Sequence, residues 1–212
     1  MNSRKVSDLI CAAVACILLL MTAAAILRAQ SASYEVNTGF FCAFMCLVPI
    51  IFRKLKILEL PITLIIIIEL AIFLHAYGVL LMKYDDIQAW DTVTHIISSV
   101  TVSLCVFYAL MAVNIMDPMI KITRKAMPLA IIIVVIAFGA YWESFEFVVD
   151  EVFGTNMQYS PWDTIRDLLC DVLGGSAVSV YSYIYLKNRS EKDFIESLNI
   201  NPSLTRIAKS RG

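Results

Sequence analysis

Six long apolar runs, each bounded by charged or turn-forming residues, dominate the pattern of this chain. Their breakers predict helices over about 8–28, 37–53, 60–82, 90–113, 127–149 and 164–186. At ~1.5 Å of rise per residue, a helix of about 20 residues crosses the hydrocarbon of a bilayer, and all six runs are near that length. The second is the shortest. The expected fold class is therefore an all-α integral membrane protein, a bundle of about six transmembrane helices. One domain, 1–186, is expected to hold them, followed by a polar tail, 187–212. The first run follows Arg4 and Lys5 and has small residues from Thr22 to Ala25, so it resembles a signal peptide. Its apolar length exceeds a typical signal core, which favours a retained helix.

The polar positions inside these runs carry the candidate chemistry. Asp91 and His95 stand at i and i+4 on the fourth run. Glu143, Glu146 and Asp150 follow at i, i+3 and i+7 on the fifth, and Asp163, Asp167 and Asp171 at i, i+4 and i+8 on the sixth. Each set occupies one helical face. Helical rise puts His95, Glu146 and Asp167 about 6 Å below a line through Asp91, Asp150 and Asp163, and Glu143 and Asp171 about 10 to 12 Å below it. His75, on the third run, lies at comparable depth, and Glu69 lies deeper. An ionised side chain facing lipid costs about 2.5 to 3.5 kcal/mol on insertion scales. The three polar faces are thus expected to face one another around a polar cavity, lined also by His75, Asp91, Asp150 and Asp163. Asp91 and Asp163 have a second reading as helix caps, assisted by Thr92 and Thr164. Trp90-Asp91-Thr92 and Trp162-Asp163-Thr164 form a short internal repeat, each opening a helix.

Composition agrees: 59% hydrophobic and 17% charged residues with a mean hydropathy of +0.76 exclude an ordinary soluble domain. The net charge of -1 and the absence of a basic patch give no reason to expect nucleic-acid binding. Alternating the runs across a bilayer puts 14 of the 17 Lys and Arg residues on the side of the amino terminus, leaving Arg28, Lys83 and Arg166 opposite. That bias predicts cytoplasmic termini. The carboxylates divide the other way, 12 of 18, Glu69 included, falling in the outer half. All six cysteines fall in apolar runs and form no disulfide framework. Cys42 and Cys46, at i and i+4, suit a metal pair, but the preferred reading is that of ordinary small membrane residues. Gly174-Gly175 is read as a close-packing element, and Trp90, Trp142 and Trp162 as interfacial anchors.

The ordered series Asp91-x-x-x-His95, Glu143-x-x-Glu146 and Asp167-x-x-x-Asp171-x-x-Gly174 resembles the VanZ-like bacterial membrane proteins. Glu146 stands where that pattern has glutamine, and Asp171 where it has asparagine, over a stretch from Asp91 to Gly175. The resemblance implies a bacterial cytoplasmic-membrane location and a link to the cell envelope.

Three functions remain open from these residues. The first is a metal-dependent enzyme acting on a membrane lipid or lipid-linked envelope precursor. Its divalent cation (zinc, manganese or magnesium) would be held by His95, Glu143, Glu146, Asp167 and Asp171, with Glu143, Glu146 and Asp167 in catalytic roles. The second is a protein that binds or transports protons, cations or an amine head group. The third is a scaffold or immunity-type protein whose polar face is a packing network.

Overall fold

The computed structural model describes residues 3–28, 33–87, 89–116 and 120–189. Its helices are α1 (Ser3–Leu27), α2 (Ser33–Met45), α3 (Val48–Lys54), α4 (Ile62–Leu80), α5 (Lys83–Asp86), α6 (Ala89–Met116), α7 (Met127–Phe153) and α8 (Pro161–Asn188), with no strand among the described residues. Six segments are long and apolar enough to span a membrane: α1, Tyr34–Lys54, α4, Ala89–Asn114 in α6, α7 and α8. This is the all-α membrane architecture expected. The solvent-like exterior is apolar, with Leu20, Leu27, Ile133 and Leu173 all exposed. The interior of the same helices adds buried Glu, Asp, Ser and Thr to an apolar core, and an exterior this apolar suits lipid rather than water.

The second span departs from a single helix. α2 stops at Met45 and α3 restarts at Val48, with Pro49 in its first turn. A proline there lacks the N–H that would continue the ladder, and its ring blocks the carbonyl four residues earlier, on Met45. At the other end, α8 begins at Pro161 rather than near residue 164 because Ser160 caps it, accepting from Asp163 N. It continues to Asn188, so the first residues of the expected tail complete a helix, and 190–212 lie outside the described residues. α7 runs on to Phe153, where Gly154 takes a left-handed conformation (φ 66°) and donates its N–H to the Asp150 carbonyl.

The chain divides into two compact units between Thr94 and His95, a point inside the unbroken helix α6. In the first unit, α1, α2 and α4 pack around Ala15, Leu18, Cys42, Ala43, Cys46, Ala76 and Leu80. Small side chains dominate because membrane helices associate through close approach. Gly39 on α2 shows this: a Cβ there would overlap the Thr22 hydroxyl of α1, which instead bonds the Leu18 carbonyl at 2.7 Å.

In the second unit, α6, α7 and α8 pack together. Phe107 of α6, fully buried, meets the rings of Tyr181 and Tyr185 on α8 at 6.3 and 5.8 Å. Ser179 of α8 donates to the Pro128 carbonyl at 3.0 Å, pinning α8 to the start of α7. Ser99 of α6 donates to the Cys170 carbonyl of α8 at 3.3 Å. Beside that bond, a Cβ on Gly174 would overlap the Ser99 hydroxyl and stand 3.1 Å from Val100 N, whereas one on Gly175 meets Val135 at an ordinary 3.4 Å. Gly174→Ala is therefore expected to destabilise the protein by about 1 to 3 kcal/mol, through overpacking against backbone. Gly175→Ala should change thermal unfolding in detergent little. Equal losses in both would contradict this packing.

Candidate functional site

The buried stripe of α7 runs Met127, Ile131, Val135, Gly139, Glu143, Glu146, Val149, at spacings of three and four. It starts apolar, passes through a glycine and turns acidic. The stripe of α8 has the opposite order along its chain: Asp163, Asp167 and Asp171 come first, then Gly174, Gly175, Val178, Ser179 and Ser182. Because α7 and α8 are consecutive and joined by the short segment 154–160, the acidic end of one meets the acidic end of the other. Glu143, Glu146, Asp163, Asp167 and Asp171 are only 2% to 8% exposed. Arg166 is the basic residue among them; Arg124 and Lys125 precede α7, and Lys187 lies in the last turn of α8.

α6 supplies the imidazole. His95 Nδ1 lies 3.8 Å from Asp171 Oδ1, and a ring nitrogen lies within 4.8 Å of an Asp167 carboxylate oxygen. Asp91, one turn earlier on the same helix, offers an oxygen within 4.8 Å of the His95 ring. One nitrogen and carboxylate oxygens at this spacing make a donor set suited to zinc or manganese. Arg166 reaches over the cluster, its guanidinium paired with Asp163 and its Nε 3.7 Å from Asp167 Oδ1. Asp171 keeps its place because Gly139 of α7 has no Cβ, which would overlap Asp171 Oδ2.

The remaining expected residues have specific partners. Glu146 accepts from Trp142 Nε1 at 2.8 Å, so this tryptophan, read from sequence as an interfacial anchor, serves an acidic residue. Gln158 donates to the Glu143 carbonyl at 2.9 Å and to its carboxylate at 3.3 Å. Asp150 accepts from Thr155 Oγ1, Met157 N and Gln158 N at 2.6, 2.7 and 2.9 Å, and so shapes the loop that aims Gln158 at Glu143. Asp163 is not the cap residue of α8. It answers the Ser160 cap by accepting from Tyr159 N at 3.4 Å, a variant of the capping box. Ser160→Ala should accordingly cost about 1 kcal/mol in thermal unfolding, and leave cation binding at the cluster unchanged in a titration. Both Trp-Asp-Thr repeats do open helices, as residues two to four of α6 and of α8.

His75 lies in the first unit, its Nδ1 3.0 Å from the Tyr84 hydroxyl. Tyr84 donates to Thr94 Oγ1 at 3.3 Å, and Thr94 to the Asp91 carbonyl at 2.8 Å. Glu69, assigned from sequence to the outer half, lies seven residues from the Ile62 start of α4, about 10 Å along it.

Residues 9–188 match the family described as "Predicted membrane protein (DUF2238)". No curated protein and no solved structure matches the chain.

Proposed function

The chain belongs to the membrane-protein family DUF2238, and from that premise we propose that it holds a divalent cation between α6 and α8 and acts on a lipid-linked substrate of the cell envelope. The convergence of His95 and Asp167, with Asp91 one turn away, is the observation that carries this reading. His95 and Asp167 would be ligands, with Asp91 one turn before His95 on α6 and Asp171 oriented on the His95 ring. A cation bound there would polarise a phosphoryl or acyl oxygen and offset the repulsion among the buried carboxylates. Glu143, held by Gln158, and Glu146, held by Trp142, would accept or return a proton, and Arg166, beside Asp167, would meet an anionic head group.

The Lys and Arg asymmetry supports cytoplasmic termini, which would open the cluster towards the outer face of a bacterial inner membrane. The VanZ-like order of motifs supports the envelope link. Manganese titration of the purified full-length protein, followed by electron paramagnetic resonance, tests the proposal. One bound Mn2+ per chain is expected, lost in His95→Ala, and undiminished binding in that variant would overturn it.

A second reading, proton or cation binding without turnover, draws on the excess of five buried carboxylates over one arginine. Cation or proton flux in liposomes that Asp167→Asn abolishes, without hydrolysis of any lipid-linked substrate, would favour it.

A further inference from the structure

The first unit has a cleft of its own, built where the end of α1, the start of α2 and the end of α4 come together. Its volume is about 280 Å³, and Arg28, Glu35 and Lys83 line it together with Ala25, Leu80 and Met82. Met82 holds a left-handed backbone (φ 54°), an uncommon conformation for such a side chain. That turn leads from α4 into α5 and sets Leu80 and Lys83 on the same cleft.

Its three charged residues are not equivalent. The Lys83 ammonium is already paired, 2.6 Å from Asp86 Oδ2. Among the described residues neither Arg28 nor Glu35 has an ion-pair partner, although both line this cleft. Glu35 Oε2 is moreover shut off from water and accepts no hydrogen bond, a costly condition for a carboxylate. Arg28 closes the last turn of α1, its N–H bonded to the Ala24 and Ala25 carbonyls at 3.2 Å, and Glu35 stands in the first turn of α2. Each charge suits the helix dipole at its own end. The dipoles account neither for the shared cleft nor for the unmet oxygen.

We propose that this cleft binds the head group of a phospholipid that carries a primary ammonium, of the phosphatidylethanolamine class. One unengaged guanidinium and one unengaged carboxylate match one phosphate and one ammonium. The Arg28 fork takes the phosphate, and the Glu35 carboxylate accepts N–H bonds from the ammonium. A choline head group has the same two charges but no N–H to donate, so it leaves the demand of Glu35 unmet. A glycerol head group brings phosphate and hydroxyls but no positive charge for the carboxylate. The ligand is a lipid rather than a soluble zwitterion because the cleft lies at the ends of three membrane-length segments, α1, Tyr34–Lys54 and α4, where head groups reside. Ala25, Leu80 and Met82 give it an apolar wall against which acyl chains can start. The site shares no residue with the α6–α8 cluster and does not rest on the function proposed for that cluster.

Native mass spectrometry of the full-length protein in detergent tests this, in titrations with phosphatidylethanolamine, phosphatidylcholine and phosphatidylglycerol of identical acyl chains. The wild-type protein is expected to bind phosphatidylethanolamine about tenfold more tightly than either of the others. Glu35→Gln should lower phosphatidylethanolamine to the level of phosphatidylcholine and leave the latter where it was. Arg28→Gln should weaken both together, because the phosphate is common to them. Glycerophosphoethanolamine, the same head group without acyl chains, should compete only at about a hundredfold higher concentration. The preference should persist in His95→Ala and in Arg166→Gln, so that failure here and failure of the α6–α8 reading are seen separately. If Glu35→Gln does not fold, Glu35→Asp, which draws the carboxylate back by one methylene, takes its place and should reduce the preference. Equal binding of phosphatidylethanolamine and phosphatidylcholine by the wild type, or a preference undiminished by the Glu35 substitution, would overturn the proposal. Competition by glycerophosphoethanolamine at the concentration of the lipid itself would overturn its assignment to a lipid.

Discussion

Asp167→Asn is expected to abolish the stabilisation that manganese gives the protein while leaving the metal-free protein as stable as wild type, or more so. Asp167 is almost wholly buried, lies on the α8 stripe between Asp163 and Asp171, and approaches the His95 ring. A ligand that binds only the folded state stabilises it by about 2.7 kcal/mol at a hundred times its Kd. For a chain of this size that is a rise in Tm of roughly 5 to 10 °C. The amide keeps the shape of the carboxylate but removes a charged ligand, so the rise should vanish. Without metal the sign reverses, because one of five crowded carboxylates has been neutralised. The bond lost to Arg166 weighs little, since that guanidinium is partly exposed and keeps Asp163. Thermal unfolding of both proteins with and without Mn2+ measures all four terms. An equal response to Mn2+ in the two would remove Asp167 from the ligand set.

The parts of this architecture legible in the sequence are those governed by local periodicity. Runs of about 20 apolar residues announce membrane helices, and acidic residues at spacings of three and four announce a shared face; Glu143 and Glu146 do continue the buried stripe begun by Ile131 and Val135. Ser160-Pro161-x-Asp163 was legible as a capping signal too, and weighting it would have started α8 three residues earlier. Pro49 likewise marked the interruption between α2 and α3.

What could not be read is whatever depends on contact between segments. Nothing local marks Gln158 as the partner of Glu143, or Ser99 as the partner of the Cys170 carbonyl, because those depend on which segments pack and at what rotation. Cys42 and Cys46 drew attention by their spacing, and both are buried in the core of the first unit beside Ala15, Leu18 and Ala76. Asp150 shows the converse. Its position on the acidic face suggested a cavity wall, while its carboxylate is taken up by the backbone and hydroxyl groups of the following loop.

Gly139→Leu should be the most damaging single change outside the ligands themselves. The missing Cβ at this position of α7 is the space that Asp171 Oδ2 occupies, with Leu168 Cδ2 at 3.4 Å from the same point. A leucine must displace the carboxylate, and with it the 3.8 Å approach of Asp171 to His95 Nδ1. Overpacking of this kind costs about 1 to 3 kcal/mol before any loss of cation binding. Alanine probes the same contact with less strain, and a double-mutant cycle isolates it. Gly139→Ala should destabilise the wild-type background clearly and an Asp171→Ser background much less, since serine withdraws the oxygen that the new methyl meets. Additive effects on thermal unfolding would mean that the two residues do not share this space. Non-additive stability together with weakened Mn2+ binding in Gly139→Ala would tie a glycine with no chemistry of its own to the carboxylate that orients His95.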